Sequence, residues 1–337
     1  MIIGLAIILL LVLALPFLIK PIEENLEPFL FVMGVAAALV SGVMTTNLLL
    51  RALEEPIMIT AAVLAAGIAF KLLEKYIRGA VDGALKVMPV SIFFIVVVVV
   101  LGLASSFITA IVASIVLVEI ISAVRFDRKS EIALDVIACY AIGLGAVLTP
   151  VGEPLATIAT SKLGVDFWYL FRTLAPYVVP GVVAMGLFAA FYLKPKRSED
   201  TLDEDREKET YAGIVIRAAK VYLFVMALTF LGEGFKPVID MYVIGLDARL
   251  LYWINMISAV LDNATLTAAE ISNKMHPDQI KAVLMGLLIS GGILIPGNIP
   301  NIISASKLKI KSSEWARLGA PIGFITLIIY FVILFVI

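Results

Sequence analysis

This chain of 337 residues interrupts its own hydrophobic segments twice, at matching places. Ser161-Lys162-Leu163, Arg172 and Ala175-Pro176 recur as Ser306-Lys307-Leu308, Arg317 and Ala320-Pro321, at a constant offset of 145. Upstream of the first set stands Pro150-Val151-Gly152-Glu153-Pro154, and upstream of the second Pro296-Gly297-Asn298-Ile299-Pro300. Proline has no N–H to give and its ring clashes with the preceding turn, so a helix must stop or bend at each pair. The surroundings are too apolar for water: 61% of residues are hydrophobic and only 16% charged, with a mean hydropathy of +1.06. A soluble core of this length cannot hide so much apolar surface. The fold class expected is an all-α polytopic membrane protein. Interrupted apolar segments at equivalent positions of two halves point to the binding site of a secondary transporter.

Composition also removes several function classes. A net charge of −1 without a basic patch argues against nucleic acid as a partner. Cys139 is the only cysteine and His276 the only histidine, so neither a disulfide framework nor a zinc cluster is expected. No cofactor is expected beyond transported ions. The first apolar segment, residues 2–19, lacks a basic leader and a small-residue cleavage site and reads as a retained helix, with the mature chain starting at Met1.

A hydrocarbon core of roughly 30 Å takes about 20 helical residues. Crossings are expected at 2–19, 29–50, 56–73, 131–160, 173–193, 212–232, 276–306 and 317–337. Two further stretches, Pro89 to Ser122 and Leu246 to Ser272, read as re-entrant hairpins or as pairs of crossings, and either choice leaves the threading parity unchanged. With both termini outside, 19 of the 26 basic residues face the cytoplasm, leaving Arg51, Lys162, Arg172, Lys236, Arg249, Lys274 and Lys281 outside. The positive-inside rule therefore favours extracytoplasmic termini in a cell (inner) membrane. That threading inverts the second half relative to the first, the architecture of alternating access. The expected organisation is an N-terminal helix at 1–27, a first repeat at 28–193, a cytoplasmic linker at 194–210 and a second repeat at 211–337. Glu74 to Val87 alternates charged and apolar residues and reads as an amphipathic helix along the inner interface.

A charged group at the bilayer centre costs about 2.5–3.5 kcal/mol on insertion scales, so each one needs a reason. Asp262 carries the most weight, set between Ser258 and Asn263 in a cluster of acid, amide and hydroxyls. One reading is a helix cap. The other is a set of oxygen ligands for a hard cation, with a carboxyl in hydrocarbon able to hold a proton and exchange it for a metal ion. Glu153, between Pro150 and Pro154 and beside Gly152, either caps the second half-helix or faces an ion held by freed carbonyls. Thr149, Asn298 and Asn301 sit in or beside the breaks and offer neutral oxygens, and the alternative role of Asn298 is to satisfy orphan backbone groups. Pro296, Gly297 and Pro300 form the second break. Ser105 and Thr109 occupy the tip expected for the first hairpin, with Ser106 between them. Glu119, Glu270 and His276 read as structural or surface groups, the two glutamates reaching interfacial water.

At these residues the chain resembles a known family. Ser258 to Ala269 is similar to the Ser-Ala-x-x-Asp-Asn-x-x-x-Thr-Ala signature of the ion transporter superfamily, especially its NhaD-type sodium/proton antiporters and arsenite effluxers. Thr149-Pro150-Val151-Gly152-Glu153-Pro154 resembles the Thr-Pro-Ile-Gly-Asp-Pro break of the same families. The resemblance implies two inverted repeats, each with a re-entrant hairpin and a broken helix, assembled as a homodimer, with Asp262 and Asn263 as coupling acid and sodium ligand. The second break lacks the threonine and the acid, and the first hairpin lacks the usual Asn, which points to a cation-transporter branch of the superfamily.

The function expected is sodium (cation)/proton antiport across the lipid bilayer. The alternatives are sodium-coupled symport of a small, dicarboxylate-like anion, for which half-helix N-termini are suited, and oxyanion efflux. No basic residue stands in either break to pair with an anion, which favours the cation. An intramembrane aspartyl protease needs two carboxylates sharing a proton and leaves the duplication unexplained, so no enzyme is expected.

Overall fold

Lipid offers the backbone no hydrogen-bond partners, so apolar segments that enter it must satisfy their own N–H and C=O groups, and one long chain does so as helices. The computed structural model describes residues 1–124, 126–193, 210–242, 246–259, 263–271, 273 and 275–336, and these are helical with no strand among them. In order they form α1 (Ile2–Leu18), α2 (Lys20–Glu24), α3 (Leu26–Ser41), α4 (Thr46–Val87), α5 (Val90–Ile108), α6 (Ala110–Val124), α7 (Arg128–Ala146), α8 (Pro154–Leu163) and α9 (Tyr169–Tyr192). After the linker, most of which lies outside the described residues, come α10 (Tyr211–Tyr242), α11 (Ala248–Ile254) with a 3-10 extension (Asn255–Ala259), α12 (Asn263–Glu270), α13 (Pro277–Gly291), α14 (Ile299–Leu308) and α15 (Ser312–Phe335). Among the described residues, five stretches are long and apolar enough to cross a membrane: Thr46–Ala69, Val90–Ile108, Tyr169–Tyr192, Tyr211–Val238 and Ser312–Phe335. The protein is thus built as a multi-pass, all-helical membrane protein.

Two expected boundaries are corrected. The segment 29–50 is not one crossing: Gly42, at φ 74°, ends α3 in the left-handed conformation that glycine adopts without cost. Thr45 then caps α4, its Oγ1 accepting from Leu48 N at 3.2 Å. Nor do Pro56 and Glu74 bound anything, because α4 runs unbroken through both for 42 residues. At 1.5 Å per residue that is about 63 Å, twice the hydrocarbon thickness, so Glu74 to Val87 continues the crossing helix and is no separate interfacial one.

The interrupted helices lie at the centre. Nearly every residue of α7 and α13 is buried, the mark of an interior helix. The outer helices expose apolar side chains such as Leu10, Phe191 and Ile329. Small residues bring α3 and α10 together: a Cβ on Gly34 would stand 2.7 Å from Ala227 O, and one on Gly234 2.8 Å from Ala37 Cβ.

The two halves show matching detail. α8 and α14 each have 10 residues and follow extended residues, Glu153 (φ −156°, ψ 160°) and Asn298 (φ −152°, ψ 145°). Each ends on a left-handed residue, Gly164 (φ 63°) and Lys309 (φ 52°). Lysine pays roughly 1–2 kcal/mol for a conformation glycine takes freely, yet the turn is kept. Packing partners match as well. α5 lies on α7 and α9 as α11 lies on α13 and α15, α4 lies on α6 as α10 on α12, and the pairs cross over, α6 on α14 and α12 on α8.

Polar contacts fix relative direction. Arg128, at the start of α7, donates to Leu308 O at 2.7 Å and Lys309 O at 2.9 Å, at the end of α14. Arg51, early in α4, pairs with Glu233, late in α10, at 2.7 Å, while Lys71 sits 3.8 Å over the ring of Tyr211, which opens α10. So α4 and α10 run antiparallel, and α7 starts at the end of the molecule where α14 finishes.

Candidate functional site

The first hairpin, α5 and α6, turns at Thr109 with φ 73° and ψ 150°. That region is essentially reserved for glycine, and a β-branched residue there stores on the order of 1–3 kcal/mol of strain. The tip is held against the first break by three bonds. Ser105 Oγ contacts Ile142 O at 3.0 Å, Thr149 Oγ1 donates to Ser106 O, and Ala110 N donates to Gly152 O at 2.8 Å. Gly145 makes the approach possible, because a Cβ there would collide with Gly102 O. Pro150 O, freed by the interruption, accepts from Thr157 Oγ1 at 2.5 Å. Glu153 is buried and stands at the cap position of α8, but its side chain makes no capping hydrogen bond.

The second break is clamped from within. Fully buried Asn301 donates through Nδ2 to Gly291 O at 2.9 Å and Leu294 O at 3.0 Å, holding the carbonyls that α13 leaves open. Asn298 lies against α7, its Nδ2 2.7 Å from where a Gly143 Cβ would stand. Asn263, the first residue of α12, lies against Gly291, with Nδ2 2.6 Å and Oδ1 3.2 Å from the corresponding Cβ position; Gly297 O is 2.9 Å from it. Both amide atoms of Asn263 and Oδ1 of Asn301 are buried without a hydrogen-bond partner. An unsatisfied buried polar atom costs about 1–3 kcal/mol. Three such atoms lie beside the end of α13.

Asp262 lies outside the described residues, as does the side chain of Ser258, whose backbone belongs to the 3-10 segment. Thr109 is placed at the hairpin turn, where its Oγ1 accepts from Val112 N at 3.3 Å. Thus Ser105 and Thr149 meet at the first break, and Asn263 and Asn301 meet at the second. Among the described residues no three His, Cys, Asp or Glu side chains converge as a metal cluster.

Two glutamates expected to reach interfacial water are buried instead. Glu119 on α6 pairs with Lys307 on α14, and Glu270 on α12 is enclosed, its Oε2 buried without a hydrogen-bond partner. The reason is tertiary: each hairpin arm is covered by a neighbouring helix. Asp135 on α7 was not singled out at all, and it is fully buried. Its signal is legible, a lone acid among Ile132 to Val147, and the argument applied to Asp262 applies equally there.

Fold and site together define a multi-pass helical membrane protein with two interrupted central helices. The chain belongs to the family described as "Protein of unknown function (DUF1646)", whose model matches residues 2–337. A comparison with curated proteins returned no match.

Proposed function

We propose that this protein is a secondary active transporter that exchanges a monovalent cation, sodium first, for protons by alternating access. The observation that carries the reading is the seating of the α5–α6 turn on the first break and of Asn263 against Gly291 at the second, with buried, unsatisfied amide atoms there. Inverted repeats are supported by the matched bounds of α8 and α14, the crossed packing of α6 on α14 and α12 on α8, and the antiparallel runs of α4 and α10. α5 with α6, and α11 with α12, serve as the re-entrant hairpins. The side bearing Arg128 and Lys307 is cytoplasmic, which leaves both termini outside. Assembly as a homodimer follows from the family resemblance.

In this mechanism the Asp262 carboxylate binds either the cation or a proton. Asn263 Oδ1 and Asn301 Oδ1 supply neutral oxygens, as hard cations prefer. Thr149, Ser105 and Glu153 line the other break. Because the acid holds one occupant at a time, access from alternate sides yields exchange.

The test is purified protein in liposomes under an imposed pH gradient, with sodium, lithium, potassium or calcium added in turn, comparing wild type with Asp262→Asn. Dissipation by sodium or lithium that needs the acid is expected. If no cation moves protons in either protein, antiport is wrong, and sodium-driven uptake of small anions becomes the reading to pursue.

A further inference from the structure

We infer that Asp135 is a second proton-binding site of this carrier, buried in a polar seam between α7 and α14 and separate from Asp262; the transport role rests on the reading above, the proton site does not.

Asp135 lies about 12 Å along α7 from its Asp127 cap, at 1.5 Å per residue, and thus well inside the helix. It has no exposed surface, and its Oδ2 has no hydrogen-bond partner. Across the seam stands Ser304 of α14, linked to the carboxyl group through Cys139. Cys139, one turn further along α7, has its Sγ 3.9 Å from Asp135 Oδ1 and 3.4 Å from Ser304 Oγ. A serine hydroxyl has one proton to give, and Ser304 Oγ gives it to Asn301 O at 3.3 Å. An ionised Asp135 is therefore left with the weak thiol donor of Cys139. A proton on the carboxyl removes the charge that the thiol cannot balance, and Ser304 keeps its bond to Asn301 O.

The surrounding charges do not substitute for a proton. On α7 the groups facing this stretch are Arg128, Glu131 and Cys139, and Arg128 is committed to Leu308 O, Lys309 O and Glu314. From α14 comes Lys307, which is committed to Glu119 of α6. Among the described residues no ion pair includes Asp135. A buried carboxylate without a counter-charge neutralises by taking a proton. A metal ion is a poor alternative occupant, because hard cations gather about six or more oxygens and the seam offers the carboxyl and one hydroxyl. The chain of contacts from Asp135 through Cys139 and Ser304 ends at Asn301, which clamps the second break.

Infrared difference spectroscopy on the purified full-length protein between about pH 5 and about pH 9 tests this, with Asp135→Asn and Asp135→Glu as variants and size-exclusion profiles to confirm folding. The expected result is a protonated-carboxyl stretch that Asp135→Asn removes and Asp135→Glu shifts, and a displaced pH profile of exchange in Asp135→Asn. Identical carboxyl spectra in wild type and Asp135→Asn would overturn the inference even if exchange occurs. A band lost in Asp135→Asn without any exchange in the wild type would uphold the proton site and remove the transport reading instead.

Discussion

Gly291→Ala tests whether the second hairpin is seated on the second break. A methyl group there would stand 2.6 Å from Asn263 Nδ2 and 2.9 Å from Gly297 O, where ordinary contact begins at 3.4 Å. The amide must therefore retreat by about 0.8 Å and the backbone carbonyl by about 0.5 Å. Overpacking of this kind costs about 1–3 kcal/mol of stability. If Asn263 is a cation ligand, moving it also weakens binding, and loss of about 1.4 kcal/mol corresponds to a tenfold lower apparent affinity. Gly34→Ala is the control. Its Cβ would meet Ala227 O at 2.7 Å, an equally tight contact between α3 and α10 that touches neither break. The assay is thermal unfolding followed by tryptophan fluorescence, alongside the sodium dependence of exchange in liposomes. Both variants should melt earlier, and only Gly291→Ala should need about ten times more sodium. Wild-type sodium dependence in Gly291→Ala, with both variants destabilised alike, would refute the seat.

Three further outcomes follow from the same geometry. Glu119→Gln removes the carboxylate from the ion pair with half-buried Lys307, and breaking one half of a largely buried pair costs up to about 3–5 kcal/mol; the double variant Glu119→Gln with Lys307→Met should recover most of that in a melting experiment, and equal losses in both would show the pair to be idle. Lys309→Gly relieves a left-handed lysine and should raise stability by about 1 kcal/mol with exchange unchanged; a lower melting temperature would place the lysine side chain in a contact that outweighs the strain. Thr149→Val removes the donor to Ser106 O and the acceptor of Val151 N, at about 1–2 kcal/mol, and should slow exchange. Thr149→Ser should restore it, and failure of that rescue would assign the effect to the lost methyl group.

Some of this was decided residue by residue. Membrane residence follows from composition, because no arrangement of a chain that is 61% hydrophobic hides so much apolar surface in water. The helical state follows from membrane residence, since a lipid-enclosed backbone must bond within its own segment. Pro150, Pro154, Pro296 and Pro300 mark where helical bonding has to stop, because the missing N–H is a property of the residue itself. Other features depend on partners far away in the chain. Whether Glu119 meets water or Lys307 depends on α14, more than a hundred residues later, and the contact of Cys139 with Ser304 beside Asp135 has the same origin. The continuity of α4 through Pro56 is another such case, because a proline that ends a helix in water is tolerated where neighbouring helices and side chains support the interrupted turn; Tyr222 of α10 donates to Leu53 O at 2.8 Å, beside Ala52, whose carbonyl Pro56 leaves without its helical donor. The sequence by itself determined the solvent, the element type and the places where hydrogen bonding breaks, since these are local free energies of single residues and short segments. Only the tertiary structure decided which polar groups are enclosed, which carbonyls Asn301 closes and which tip meets which break, because burial and pairing are set by the helix that arrives from the other half.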